Sequence, residues 1–301
     1  MDNNILLESG NGELEIIEFI IKDTHYAINV VKVKEVMEMP ESGITRLPDP
    51  KPEIAGVLLS RQEILPLINL KYIVTKKTEE NIGSKIIVCQ FNKITVAFSI
   101  DDIVAVHRIK WSDIRKPDDL LEDSLAVGNI VLGDKIIIML DFEKIVTDIS
   151  PSSGISEDRL VNVEYKDRSN AKLVLADDSA LIRRLLKDTL TKAGFKNLRI
   201  FDDGKQALDF LQRLAKEKGQ NFTEDVQILI TDIEMPQMDG LTLTRCVKED
   251  AILKKLPVVI FSSLITDELR HKGDSVKADA QLSKPEIEQL VNVIDKLLNI
   301  K

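Results

Sequence analysis

The stretch VQILITDIEMPQMDG, residues 226–240, contains an apolar run that ends in a carboxylate, Asp232. A short continuous apolar run bounded by turn residues is typical of a strand that is buried on both faces. Similar runs occur on both sides of it, each followed by a helical pattern, so that five strands alternate with five helices in residues 171–301. This alternation predicts a parallel sheet covered by helices on both faces, a doubly wound α/β domain.

Polar residues follow four of these predicted strands at the point where each strand ends. They are Asp177-Asp178, Asp232, Ser262-Ser263 and Lys284-Pro285. One such residue alone would be an ordinary turn or cap residue. Because function collects at the carboxyl ends of the strands in open α/β sheets, the set as a whole predicts one pocket.

The residue types in this predicted pocket indicate its chemistry. Three carboxylates brought together repel each other and raise each other's pKa unless a cation joins them. A cluster of oxygen ligands without His or Cys suits Mg²⁺. The lysine adds positive charge and the serine adds a hydroxyl, so the pocket can hold a phosphoryl group while one carboxylate attacks phosphorus.

The first half of the chain has a different pattern. Short segments rich in Ile and Val, such as SKIIVCQF, ITVAFSI and NIVLGDKIIIML, are separated by turn residues, which predicts a mostly β domain. Residues 148–170 form a polar stretch with a Pro-Ser-Ser-Gly core that is typical of a loop. We therefore predict a β domain in residues 1–150, a linker in residues 151–170 and the α/β domain in residues 171–301.

Composition limits the classes of function. The chain has 301 residues and a net charge of −9, and aromatic residues make up 4%, which disfavours a nucleic-acid-binding protein. No apolar run approaches the length of about 18 residues that a membrane helix needs, and the N-terminus lacks the basic region of a secretory signal. Cys89 and Cys246 lie in apolar runs without metal-ligand spacing, which indicates buried thiols in a reducing compartment. We expect a soluble cytoplasmic protein.

The segments VLADDSALIRRLL, TDIEMPQMDG, LPVVIFSS and LSKP closely resemble those of response regulator receiver domains, over about residues 171–300. The resemblance implies that Asp232 is the phosphoacceptor. It also implies that Asp177 and Asp178 hold Mg²⁺ with Asp232, together with the backbone carbonyl of Glu234.

By the same resemblance, Ser262 is the hydroxyl that binds the phosphoryl oxygen and Lys284 is the lysine that contacts it. One position departs from the pattern. Most receiver domains carry an aromatic residue three positions before the lysine, and this chain has Gln281 there. The usual aromatic response to phosphorylation is therefore not expected, although the chemistry of the pocket is.

The segments LPDPKPEIAGV and ILPLINL, with the order of the segments around them, resemble the CheW-like coupling domain of bacterial chemotaxis, over about residues 12–150. This resemblance implies two linked five-stranded barrels of SH3 type that contact chemoreceptors and a histidine kinase. The family's Asn-Leu-Arg-Gly signature is partly kept at residues 59–62, where Arg61 matches and the glycine is lost. Arg61 is therefore a candidate partner contact.

The order of the two domains resembles chemotaxis coupling proteins of CheV type. It implies an adaptor, located at membrane-associated receptor arrays, that links chemoreceptors to the kinase and is modulated by phosphorylation of Asp232. An alternative is a phosphate sink that drains phosphoryl groups from the kinase. We expect no enzyme beyond the domain's own phosphoryl transfer and dephosphorylation, because a phosphohydrolase of this kind carries its nucleophile on the first strand and Asp232 follows the third.

Overall fold

The structure, a computed structural model, describes residues 12–79, 81–91, 94–115, 125–150, 164–263, 267–284 and 286–300. The described residues form two compact units. The β unit consists mostly of residues before 151, and the α/β unit consists mostly of residues after 163. Most of the predicted linker, and Pro285, lie outside the described residues.

The described residues before 151 contain twelve strands and two short α-helices. The strands are β1 Glu13–Ile21, β2 Thr24–Asn29, β3 Val33–Glu38, β4 Ile44–Thr45, β5 Ile54–Ser60, β6 Glu63–Asn69, β7 Lys85–Phe91, β8 Ile94–Ile100, β9 Asp102–Lys110, β10 Ile114–Arg115, β11 Ala126–Leu132 and β12 Lys135–Leu140. The helices are α1 Leu70–Thr75 and α2 Phe142–Ile149.

These strands form two sheets, in the orders β10-β11-β12-β2-β1-β9 and β3-β7-β8-β6-β5-β4. Most neighbours are antiparallel, while β12 with β2 and β6 with β8 are parallel. Each sheet has six strands where the sequence predicted five, because the two-residue strands β4 and β10 extend the sheet edges. The predicted mostly β architecture is confirmed.

A core of aromatic and aliphatic side chains joins the two sheets to α2. Phe19, Phe98 and Phe142 are fully buried. The rings of Phe98 and Phe142 meet edge to face, with centroids 4.8 Å apart, a favourable geometry for aromatic pairs. Cys89 lies in this core, where burial raises the pKa of its thiol and keeps it protonated.

Among the described residues of the β unit, one carboxylate is buried almost completely. Glu18 on β1 is 2% exposed, and its two carboxylate oxygens each lie 2.5 Å from an imidazole nitrogen, Nδ1 of His25 and Nε2 of His107. A buried carboxylate is tolerated only when such partners satisfy its oxygens. The two histidines therefore hold β2 and β9 against β1.

The α/β unit is the predicted doubly wound domain. Its strands are β13 Arg168–Ala176, β14 Phe195–Phe201, β15 Ile228–Thr231, β16 Val258–Ser262 and β17 Ala280–Ser283. They form one parallel sheet in the order β14-β13-β15-β16-β17. The helices are α3 Ala180–Lys192, α4 Gly204–Lys218, α5 Gly240–Glu249, α6 Asp267–Ser275 and α7 Ile287–Leu298. None of the described helices of the chain is long and apolar enough to cross a membrane.

Alternate residues of β13 pack into cores on opposite faces of this sheet. Leu173 and Leu175 contribute to a core with side chains of α3 and α7, whereas Val174 contributes to a core with side chains of α4 and α5. This is the period of two that a strand buried on both faces requires.

The first strand of the α/β unit begins three residues earlier than the predicted run at residue 171. Its first residue, Arg168, is 3% exposed and donates two hydrogen bonds of 2.7 Å to the carboxylate of Asp295 on α7. This bidentate pair allows a charged residue to be buried at the start of β13. An apolar pattern cannot predict a strand that begins with a charged residue.

Candidate functional site

Three loops at the carboxyl edge of the parallel sheet bring four of the predicted side chains into one pocket. Nζ of Lys284 lies 2.5 Å from Oδ2 of Asp232 and 3.1 Å from Oδ2 of Asp177. Carboxylate oxygens of Asp177, Asp178 and Asp232 lie within 4.8 Å of one another. Three carboxylates and one ammonium thus share a small volume.

The strand register explains this convergence. Ala176 on β13 is aligned with Thr231 on β15, so the next residues, Asp177 and Asp232, leave neighbouring strands at the same level. The backbone N–H of Asp232 donates to the carbonyl of Ala176 at 2.9 Å. Parallel strands place their carboxyl ends at one edge, and this register therefore sets the two carboxylates side by side.

The other two strands contribute in the same way. Ser262 is the last residue of β16, is fully buried and is aligned with Ser283 of β17. The backbone N–H of Lys284 donates to the carbonyl of Ser262 at 3.1 Å. This bond holds the start of the β17 loop against the end of β16 and thereby fixes the position from which the Lys284 side chain extends.

The pocket contains more negative than positive charge, with three carboxylates and one ammonium. Asp177, Asp232 and Lys284 are each 5% exposed or less. Burial and the nearby charge of Asp232 raise the pKa of Asp177 to about 7, although Lys284 acts in the opposite direction. A divalent cation among these oxygens would offset the excess negative charge, and an all-oxygen ligand set of this kind fits Mg²⁺.

Backbone hydrogen bonds orient the carboxylates. Oδ1 of Asp232 accepts the N–H of Ile233 at 2.6 Å, which leaves Oδ2 facing Lys284. Oδ1 of Asp177 accepts the N–H of Ser179 at 3.0 Å. Ser179 is itself the N-cap of α3, since its hydroxyl accepts the N–H of Ile182. The short loop after β13 therefore both caps α3 and orients the carboxylate of Asp177.

Gly240 is required by the close approach of α5 to the pocket. A Cβ at this position would lie 1.8 Å from the backbone carbonyl oxygen of Asp232. The N–H of Gly240 donates to the carbonyl of Ile233 at 2.8 Å, and Asp239 caps the helix. The role of Gly240 cannot be predicted from the sequence, because its contact is with the backbone of Asp232 and does not depend on the side chain there.

We expect Gly240→Ala to lower the free energy of unfolding by about 3 kcal/mol, because the backbone that carries Asp232 must move. Urea unfolding measures this. Gly219→Ala is the comparison, because that glycine has open space around its Cβ, and its φ of 55° and ψ of −131° add conformational strain of about 1–3 kcal/mol without a clash. A Gly240→Ala variant that is as stable as the unaltered chain would contradict the steric account of Gly240.

The resemblance to receiver domains also singles out Glu234 and Gln281. Glu234 is half-buried, two residues after Asp232. Gln281 lies on β17 and its side-chain Nε2 donates to the carbonyl of Arg270 at 2.9 Å and to Oδ1 of Asp274 at 2.8 Å, both on α6. A Cβ at Gly273 would meet the Gln281 amide at 2.2 Å. At the position that is usually aromatic in receiver domains, this chain thus has an amide side chain that is hydrogen-bonded to α6.

Arg61 belongs to the β unit. It lies in the tight turn between β5 and β6, where Arg61 and Gln62 both have positive φ, and its side chain is 75% exposed while pairing with Glu35 at 2.6 Å. The residues on either side of the turn, Leu59 and Ile64, are paired across the hairpin and are 69% and 72% exposed. The hairpin therefore presents a charged group beside two exposed apolar side chains.

Comparison with known proteins agrees with this division. The CheW-like domain family matches residues 15–150, and the response regulator receiver domain family matches residues 173–295. The chain is 29% identical over 304 residues to chemotaxis protein CheV3 of Helicobacter pylori, with 95% of each chain covered, and 24% identical over 314 residues to CheV1 of the same organism, with 96% of this chain and 95% of that protein covered.

The α/β unit alone also has relatives. It is 33% identical over 92 residues to chemotaxis protein CheY1 of Helicobacter pylori, which covers 31% of this chain and 67% of that protein. Matches to both domain families, in this order, and to CheV proteins over nearly the whole length lead to one assignment. The chain combines a CheW-like domain with a response regulator receiver domain that follows it, and over nearly its whole length it is similar to CheV chemotaxis proteins.

Proposed function

We propose that this chemotaxis signalling adaptor couples chemoreceptors to a histidine kinase through its CheW-like domain, and that phosphorylation of Asp232 modulates the coupling. The observation that supports the proposal is the buried contact of Lys284 with both Asp232 and Asp177 in a domain fused to a CheW-like domain. The proposal locates the protein at membrane-associated receptor arrays.

In the proposed reaction, a carboxylate oxygen of Asp232 attacks the phosphorus of a phosphohistidine in the kinase. A P–O bond forms, the P–N bond breaks, and the departing imidazole takes up a proton. The Lys284 ammonium neutralises charge on the phosphoryl oxygens, and the Ser262 hydroxyl donates a hydrogen bond to one of them. The resulting acyl phosphate hydrolyses, so the signal decays.

The same pocket would hold Mg²⁺ through Asp177, Asp178 and Asp232, with the backbone carbonyl of Glu234. The fit rests on the three carboxylate oxygens within 4.8 Å of one another and on the raised pKa of Asp177. Bound Mg²⁺ supplies positive charge that stabilises the phosphoryl oxygens during transfer.

Affinity for Mg²⁺ is expected to rise with pH up to about 7 and then to level off. Because the pKa of Asp177 is about 7 in the metal-free protein, cation binding below that pH must displace a proton, and the affinity falls by up to about tenfold per pH unit. Calorimetric titration with Mg²⁺ from pH 5.5 to 8.5, roughly the window around this pKa, measures the profile. Asp177→Asn should bind more weakly and lose the slope, and a flat profile in the unaltered chain would contradict the role of Asp177.

Phosphorylation would act by changing charge. The transferred phosphoryl group carries a charge of about −1.5 to −2 and three acceptor oxygens. Because the Asp232 carboxylate loses its own negative charge when the acyl phosphate forms, the net charge of the pocket changes by about −1 or less. The coupling between this event and partner binding is limited by the difference in affinity, typically about 1–3 kcal/mol. A phosphate sink that leaves coupling unchanged remains the second candidate function, because the pocket chemistry would be the same.

Sedimentation of receptor cytoplasmic fragments with the kinase tests the coupling role. We expect more kinase to sediment with receptor when the chain is present. Arg61→Glu should reduce the recruited kinase by about tenfold if the exposed hairpin is a contact. Arg46→Glu, which reverses an exposed charge in the same unit, is the matched control. Recruitment that does not depend on the chain would contradict the adaptor role.

A further inference from the structure

Arg183 on the first turn of α3 contacts the backbone of both Asp177 and Asp178. Its Nη1 donates to the carbonyl oxygen of Asp177 at 2.8 Å and to the carbonyl oxygen of Asp178 at 2.8 Å. The side chain is half-buried. One guanidinium nitrogen thus bridges the backbone carbonyls of two successive residues, and the carboxylates of these two residues belong to the pocket.

Other described hydrogen bonds also support this loop. The N–H of Asp177 donates to the carbonyl of Phe201 at 3.2 Å, and the N–H of Ser179 donates to Oδ1 of Asp177 at 3.0 Å. These bonds fix one end of the loop and one carboxylate. The bridge from Arg183 acts on the carbonyl side of both residues and so fixes the two peptide planes relative to α3.

We propose that Arg183 is a positioning residue for cation binding: it holds the peptide planes of Asp177 and Asp178 so that their carboxylates converge. The inference rests on the proposed magnesium site. Hydrogen-bonded partners outside the ligand set commonly orient ligands in this way, and their loss typically lowers metal affinity about 10- to 100-fold.

Charge and positioning make opposite predictions for this residue. The positive charge of Arg183 lies beside the pocket and by itself weakens cation binding, so removing it should strengthen binding if only charge matters. If positioning dominates, removing the side chain weakens binding. The sign of the change in affinity therefore separates the two effects.

The experiment is calorimetric titration of the full chain with Mg²⁺ for the unaltered protein, Arg183→Met, Arg183→Lys and Arg184→Met. Arg184 is the neighbouring exposed arginine, and its replacement reports the effect of the same charge loss without the bridge. We expect Arg183→Met to bind about tenfold more weakly, Arg183→Lys to recover part of the affinity, and Arg184→Met to bind as tightly as the unaltered chain or slightly more tightly.

Urea unfolding in EDTA and the rate of labelling by a small phosphodonor complete the test. A positioning role predicts that saturating Mg²⁺ restores labelling of Arg183→Met, which a general loss of structure would not allow. The inference is overturned if Arg183→Met binds Mg²⁺ as tightly as Arg184→Met does. It is also overturned if saturating Mg²⁺ does not restore labelling of Arg183→Met. Absence of Mg²⁺ binding by the unaltered chain would instead overturn the proposed magnesium site.

Discussion

Asp232→Asn is expected to gain no phosphoryl group from acetyl phosphate and Mg²⁺, whereas the unaltered chain gains one. The amide is a much poorer nucleophile than a carboxylate and carries no charge to attract Lys284. Asp177 is a poor substitute nucleophile, because burial raises its pKa and keeps a fraction of it protonated near neutral pH. We therefore expect an all-or-none difference.

Intact-mass spectrometry after a short incubation measures this difference. Asp209→Asn is the matched control, because Asp209 is an exposed aspartate on α4 that pairs with Lys205 outside the carboxylate cluster, and this variant should be labelled like the unaltered chain. Equal labelling of Asp232→Asn and the unaltered chain would show that another residue is the acceptor. Repeated turnover of an aryl phosphate would favour an enzyme instead of a switch.

Lys284→Met has the second-largest expected effect. Lys284 is 5% exposed and is the cation that contacts Asp177 and Asp232. Removing one member of a buried charge cluster typically costs about 3–5 kcal/mol, because the remaining charges lose their partner. In EDTA at about pH 8, above the pKa of about 7 that Asp177 has in the unaltered chain, we expect the free energy of unfolding to fall by about 3 kcal/mol.

The pH and metal dependence identify the cause of that loss. The raised pKa of Asp177 means that its charged form is disfavoured in the folded state, so lowering the pH to about 5.5 should protonate Asp177 and recover stability. Mg²⁺ should also recover it, since the cation replaces the ammonium. Lys296→Met, an exposed substitution on α7, is the control. A loss in Lys284→Met that neither low pH nor Mg²⁺ reduces would contradict the electrostatic account.

Much of the pocket could be predicted because parallel strands leave their end residues at one edge. Asp177, Asp232 and Lys284 needed only the strand alternation to be placed together. Arg183 and Gly240 could not be found in this way, because each contacts backbone carbonyls. Such contacts depend on the angle at which a helix follows a strand, and they do not change which residue types are adjacent in sequence.

Tertiary contacts explain other features of the structure that the sequence did not predict. His25 and His107 have no ligand spacing in the sequence, yet they share Glu18, which lies 7 and 89 residues away from them. The pairing of β1 with β2 and the return of β9 to the same sheet create this cluster. The position of the Gln281 side chain likewise depends on Gly273 of α6, because the absence of a Cβ there leaves room for the amide.

Kinase activity in receptor complexes tests the central proposal most directly. Complexes of receptor, kinase and this chain should be assayed with the unaltered protein and with Asp232→Asn, each with and without prior treatment with a phosphodonor. The account predicts that treatment changes the kinase activity with the unaltered chain, by a factor within about 5–150, and leaves it unchanged with Asp232→Asn. Equal kinase activity in all four samples, with only the flux of phosphate differing, would contradict modulation and favour the phosphate sink.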